Sequence, residues 1–197
     1  SLECADELEA LGVKLSLGQD YLKNLGGDII FRTPGIRPDI PEIAEAVRRG
    51  AELTSEMEIF FCVCPCRIIA VTGSDGKTTT TTLISELLKA EGINVHLGGN
   101  IGKPLLCEAD EMDARDAAVV ELSSFQLMTM KDSPGIAVVT NVAPNHLDVH
   151  RDMEEYVDAK RNICRHQKPE DLAVLNLDNE TAAEFADGAV QRIRWFS

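Results

Sequence analysis

A chain of 197 residues lies between one and two ordinary domains and is long enough to bury a real core. With 33 Asp and Glu against 19 Lys and Arg, its formal charge is −14, so neither nucleic acid nor an anionic membrane finds a basic surface to grip, and any anionic ligand must be held locally. At 44% hydrophobic residues the sequence is globular in character, and no apolar run reaches the ~18 residues that span a bilayer.

The start, Ser-Leu-Glu-Cys-Ala-Asp-Glu, has neither the basic residues nor the apolar stretch of a secretory signal, and no initiator Met precedes it. The numbering is expected to begin inside a longer chain. Six cysteines without a small-domain spacing fit a reducing compartment better than a disulfide scaffold, so a cytoplasmic location is expected.

In chain order, the pattern predicts strands at Val13–Leu17 and Asp28–Arg32, a helix at Pro41–Arg49 and a β-like run at Phe61–Cys66. A strand at Arg67–Thr72 and a helix at Lys77–Ala90 follow, then strands at Ile93–Leu97, Ala117–Leu122 and Gly135–Asn141. The remainder reads as a helix at Asp152–His166, a strand at Leu172–Leu177, a short helix near Asn179–Ala186 and a strand at Arg192–Phe196. Alternating strands and helices imply an α/β fold with a mostly parallel, doubly wound sheet. Runs such as Ile68-Ile69-Ala70-Val71 are apolar without alternation, as in strands covered on both faces. Pro65 marks a boundary, giving residues 1–63 as part of a small Rossmann-like N-terminal domain and 64–197 as a central nucleotide-binding domain. The first unit has too few elements for a complete sheet, and the last strand ends uncovered, so both ends read as cuts.

The strongest chemical signal is the strand-loop-helix around Gly73-Ser74-Asp75-Gly76-Lys77-Thr78-Thr79. Glycines let the backbone turn its N–H groups around phosphate oxygens, and the helix N-terminus adds partial positive charge. Lys77 would reach the β/γ-phosphates of ATP, and the Thr78 hydroxyl would ligate Mg²⁺. Val71 stands where the strict phosphate-loop pattern has its first glycine, so the loop is a variant.

That variant, Thr-Gly-x-x-Gly-Lys-Thr-Thr, resembles the ATP loop of the Mur ligase and folylpolyglutamate synthetase superfamily. Four further segments in family order favour its D-glutamate-adding branch: Thr33-Pro34-Gly35-Ile36, Gly98-Gly99-Asn100-Ile101-Gly102, Glu121-Leu122-Ser123-Ser124-Phe125-Gln126-Leu127 and Asn141-Val142-Ala143-Pro144-Asn145-His146-Leu147-Asp148. The helix segment Tyr156-Val157-Asp158-Ala159-Lys160 completes the set. The resemblance implies a reaction in which ATP phosphorylates the carboxylate of UDP-N-acetylmuramoyl-L-alanine and the D-glutamate amine attacks the acyl phosphate. It also implies two Mg²⁺ ions, because a carboxylate must approach a triphosphate. Thr78 and Glu121 would hold one ion; His146 and Lys160, the latter as a carbamate, would help hold the other. Asn100, Ser123 and Gln126 are carried over as contacts to the muramoyl-peptide part, and Thr33, Pro34 and Gly35 as a turn near the sugar nucleotide. Lys77, Glu121, His146 and Lys160 are the expected catalytic set, in a monomer whose C-terminal domain lies outside this chain. Asn145 stands where the family pattern carries an acidic residue.

Plainer readings compete. Glu at a strand end is often solvated, and Asn100, Ser123 and Gln126 could each cap a loop. His146 and His150 have zinc-pair spacing but lack a compelling third ligand. Cys62, Cys64 and Cys66 would share one face of a strand, where small apolar residues beside a linker are the simpler account. Met153, Tyr156, Val157, Lys160, Ile163 and Cys164 form one helical stripe in which Lys160 is the only charge, so it either snorkels or is buried with a lowered pKa. A folylpolyglutamate synthetase and a nucleotide-binding module without catalysis remain as alternative functions.

Overall fold

The computed structural model describes residues 4–144 and 150–197. His146 and Asn145 therefore lie outside the described residues. The elements run α1 (Ala5–Ala10), β1 (Ile29–Phe31), α2 (Pro41–Arg48), β2 (Glu52–Thr54), α3 (Glu56–Val63), β3 (Arg67–Thr72), α4 (Lys77–Ala90) and β4 (Val95–Gly99). A 3₁₀ turn at Leu106–Glu111 leads to β5 (Ala117–Glu121), α5 (Ser124–Leu127), β6 (Ile136–Val139), α6 (Met153–Arg165), β7 (Leu172–Asn176), α7 (Glu180–Ala183) and β8 (Arg192–Phe196).

The chain divides into two compact units, one of residues 1–30 and 37–53, the other of residues 31–36 and 54–197. The smaller unit holds α1, α2 and most of the two-stranded β1-β2 ladder. Pro41 opens α2 at a position where its missing N–H costs nothing, and Ile43 and Ala46 are its buried residues.

The larger unit is built on a six-stranded sheet in the order β4-β5-β3-β6-β7-β8, parallel at every pairing. Crossovers run one way from β3 to β4 and the other way from β5 to β6, so the order reverses between β3 and β6. In open parallel sheets that crevice, past the carboxyl ends of the strands, is where ligands bind. Ile68, Ala70, Ala118, Val120, Ala137 and Val139 pack with Phe60, Leu127, Tyr156, Ile163 and Phe185 in one core. Helix α6 joins it through the predicted stripe, and its N-cap Asp152 accepts from Glu155 N–H at 2.8 Å.

Two expected strands are absent. Residues 13–17 carry no regular structure: their alternation suits a strand, but almost every residue there is exposed and no ladder forms. The run 61–66 is instead the end of α3 and its exit. Ser55 caps that helix, accepting from Glu58 N–H at 3.2 Å, and Met57 and Phe60 bury one turn apart. Capping and burial spacing outweigh the strand propensity of Phe, Val and Cys. Cys62 is thus helical and exposed, and the three cysteines do not share a strand face. Cys64 and Cys66 do meet, sulfur to sulfur, at 3.5 Å.

Candidate nucleotide and metal site

The phosphate loop leaves β3 at Thr72 and enters α4 at Lys77. Gly76, the N-cap, has φ +77°, a left-handed conformation that glycine adopts without strain. Gly73 makes a close approach: a Cβ there would collide with Thr140 Oγ1. The end of β6 forms the wall behind the loop. Thr140 Oγ1 donates to the carbonyls of Thr72 (3.2 Å) and Asp75 (2.6 Å), and Asn141 exchanges bonds with Asp75 through its amide. Ser74 N–H donates to Asn141 O at 2.9 Å, and Ser74 Oγ lies 2.9 Å from Tyr156 Oη and from Ala143 O. The loop is therefore held in shape by β6 and α6, the two elements on the other side of the crevice.

Four sequence-predicted residues converge on it: Lys77, Thr78, Asn100 and Glu121. Lys77 Nζ lies over the loop, donating to Gly73 O at 2.9 Å and Ser74 O at 3.0 Å. Thr78 Oγ1 donates to Glu121 Oε2 at 2.7 Å, and Asn100 Nδ2 donates to Glu121 Oε1 at 3.0 Å. Glu121 is 2% exposed, so the plain reading of a solvated strand-end carboxylate does not hold. A hydroxyl and a carboxylate at this distance are a hard oxygen pair, the donor type that suits Mg²⁺. Asn100 is brought there because β4 ends beside β5, with its N–H donating to Glu121 O at 2.8 Å.

Lys160 is the fifth. It is 2% exposed, so it does not snorkel. Its Nζ donates to Gly73 O at 2.8 Å and lies 4.8 Å from the centre of the Tyr156 ring. Burial first, then the Lys77 cation, lower its pKa to about 7; the Glu121 carboxylate opposes them.

The remaining predictions divide. Ser123 and Gln126 form a capping box on α5: Gln126 N–H donates to Ser123 Oγ at 3.3 Å and Ser123 N–H to Gln126 Oε1 at 3.0 Å. Thr33, Pro34 and Gly35 form an exposed turn closed by Ile36 N–H on Thr33 O at 3.1 Å. His150 is buried with Nε2 at 2.9 Å from Ser124 Oγ and its ring stacked on Phe125. Among the described residues no three His, Cys, Asp or Glu side chains converge as a metal cluster, and no helix is long and apolar enough to cross a membrane. Sequence reasoning missed Thr140, whose signal was a polar residue ending an apolar strand, and the Tyr156 hydroxyl.

A groove of about 750 Å³ adjoins the loop, walled by Ile84, Val138, Val174 and Phe196 and meeting Gly76 and Asn141 at the sheet edge. A cavity of about 550 Å³ at the opposite end of the strands, beside Cys64, Cys66 and His166, contains none of the predicted site residues.

Known proteins share this sequence and shape. The Mur ligase middle domain matches residues 71–195, more than half of the chain. The UDP-N-acetylmuramoylalanine–D-glutamate ligase of Ruminiclostridium cellulolyticum is 60% identical over 181 residues, 91% of this chain and 39% of that protein. The protein of the same name from Acetivibrio thermocellus is 58% identical, across 98% of this chain and 41% of its own length. This chain thus spans about two fifths of these relatives. Among solved structures, the UDP-N-acetylmuramate:L-alanyl-gamma-D-glutamyl-meso-diaminopimelate ligase from Neisseria meningitides covers 100% of this chain, and the chain 67% of it, at TM-score 0.62 and 17% identity. The MurF ligase from Thermotoga maritima in complex with ADP covers 78%, 43% of its own length, at TM-score 0.56 and 20% identity. At such identities the structures speak for the fold alone, and the sequence match decides the family: the chain belongs to the Mur ligases.

Proposed function

We propose that this chain is the nucleotide-binding part of an ATP-dependent ligase that joins D-glutamate to UDP-N-acetylmuramoyl-L-alanine, with ADP and phosphate as the other products. The observation that carries the reading is the Thr78–Glu121 pair at 2.7 Å, set beside a phosphate loop with its lysine in position. The names of relatives at 58% and 60% identity supply the acceptor and the amino acid.

In this reading the loop N–H groups and Lys77 bind the triphosphate, and Lys77 neutralises charge on the transferring phosphoryl group. Thr78 and Glu121 would hold Mg²⁺, which would supply charge screening between the triphosphate and the incoming carboxylate. Lys160 takes part as a carbamate: an amine with pKa about 7 is substantially neutral at neutral pH and adds to CO₂, releasing a proton. The carbamate oxygens, with His146, would hold a second ion. Lys160 as an ammonium beside Lys77 would instead repel it. Asn100, Ser123 and Gln126 serve the muramoyl-peptide part and Thr33, Pro34 and Gly35 the sugar nucleotide, with residues 1–63 belonging to the acceptor domain and 64–197 to the ATP domain of a cytoplasmic monomer.

The test is ADP release by the full-length ligase across a panel of acceptors and amino acids. Turnover that requires both UDP-N-acetylmuramoyl-L-alanine and D-glutamate supports the reading; turnover with a folate and L-glutamate instead replaces it.

A further inference from the structure

Arg32 belongs to none of the segments assigned a chemical role, yet it is 5% exposed, an unusual location for a guanidinium. It immediately precedes the Thr33–Ile36 turn. Nη1 donates to Ile36 O at 2.6 Å, Pro34 O at 3.3 Å and Thr33 O at 3.4 Å. Nη2 points elsewhere, donating to Phe125 O at 3.0 Å and Thr129 Oγ1 at 3.2 Å. One arm of the fork therefore gathers the carbonyls of the turn, and the other grips α5 and the residue two positions beyond it. The Thr129 hydroxyl passes the connection on to Glu58 Oε2 at 3.3 Å, and Glu58 also accepts from Ser55 Oγ at 3.0 Å.

The two segments so joined are the turn read as facing the sugar nucleotide and the helix that opens with Ser123 and Gln126. A small pocket of about 180 Å³ borders both, with Thr33, Pro34, Ser55 and Gln126 on its wall. Only a planar fork of fixed geometry serves both sets of acceptors at once; a lysine ammonium offers three donors from a single point and reaches one set.

We propose that Arg32 is a positioning residue for the acceptor substrate: it holds the Thr33-Pro34-Gly35 turn at a fixed distance from the Ser123–Gln126 capping box, so that both segments engage one acceptor molecule as a unit. The proposal rests on the ligase reading above. It separates acceptor binding from ATP binding, because among the described residues Lys77, Thr78 and Glu121 share no hydrogen-bond partner with Arg32. The turn and the capping box are read as meeting parts of the acceptor that do not react, so loosening them removes binding common to ground state and transition state, and the loss falls on acceptor KM rather than on kcat.

In the full-length ligase, Arg32→Lys raises KM for UDP-N-acetylmuramoyl-L-alanine about tenfold or more, while KM for ATP and kcat at saturation change less than about threefold. Thr129→Val, which removes the side-chain partner of Arg32 on the α5 side together with its bond to Glu58, raises acceptor KM several-fold and serves if Arg32→Lys does not fold. Loss of folded protein alone would lower apparent kcat and leave every KM in place. Unchanged acceptor KM in both variants, or an equal rise in the KM for ATP, overturns the proposal. An independent readout uses the 197-residue chain: amide hydrogen exchange at Ile36 speeds up about tenfold in either variant with the Ser74 amide unchanged, and unaltered exchange at Ile36 also overturns it. If the wild-type ligase does not turn over the acceptor at all, the ligase reading fails, and the exchange experiment still decides what Arg32 does.

Discussion

Replacing Lys160 by Met in the 197-residue chain tests the burial argument at its most quantitative point. The amine is 2% exposed and its pKa is lowered from 10.5 to about 7, so holding it charged costs the fold about 5 kcal/mol. Because the folded pKa is the lower one, that cost is fully present below pH 7. Between about 7 and 10.5 the unfolded chain keeps a proton that the folded chain has released, so wild-type stability climbs with pH. Methionine has similar length and no charge, but it leaves Gly73 O without the Lys160 donor, a loss of roughly 1–3 kcal/mol. The variant is then more stable than wild type by about 2–4 kcal/mol at pH 6, and nearly equal to it at pH 9, where about 2 kcal/mol of the cost remains. Cys66 and Cys164, pushed up to about 12 by burial, lower stability above pH 9 as the unfolded thiols ionise, but they are common to both proteins and cancel in the difference. Urea unfolding followed by circular dichroism, in CO₂-free buffers at pH 6 and 9, measures this. A stability difference that is the same at both pH values, within about 0.5 kcal/mol, refutes the lowered pKa.

Three other perturbations address the chemistry in the full-length ligase. Lys77→Ala abolishes ligation and weakens ATP binding, because no other basic residue stands in the loop; equilibrium titration with ATP checks it, and retained activity removes the loop assignment. Glu121→Gln keeps the shape and the Asn100 contact while removing the charge, so the Mg²⁺ concentration for half-maximal rate rises about tenfold or more, whereas an unchanged Mg²⁺ profile excludes the ligand role. Lys160→Ala loses on the order of 10³-fold in kcat and is partly restored by acetate, which supplies a carboxylate where the carbamate would stand. Full activity of that variant without added carboxylate contradicts the carbamate.

The sequence was most informative where a local rule and the tertiary structure agree. The segment Arg67–Ala90 folds as its pattern predicts because an apolar run, two glycines and a lysine-threonine pair all demand the same strand-loop-helix. Glu121 was legible by its position at the end of an apolar strand, though only the geometry shows that Asn100 and Thr78 both bond to it. The Phe61–Cys66 run misled because aromatic and β-branched residues suit strands, while the deciding signals, a Ser55 cap and burial of Met57 and Phe60, lay upstream. Helix α5 is four residues long and too short for any period to register, so Ser123 and Gln126 allow both a substrate-contact and a capping reading in the sequence, and only the structure shows the capping box. Arg32 carried no sequence signal: its partners on and just past α5, Phe125 and Thr129, lie 93 and 97 residues away.

The central claim, that this phosphate loop serves transfer of a phosphoryl group to a carboxylate, is tested most directly by isotope transfer. UDP-N-acetylmuramoyl-L-alanine labelled with oxygen-18 in its carboxylate is turned over by the full-length ligase with ATP and D-glutamate, and the phosphate released is examined by mass spectrometry. An acyl phosphate leaves a labelled oxygen in each phosphate formed; phosphate without label contradicts the account.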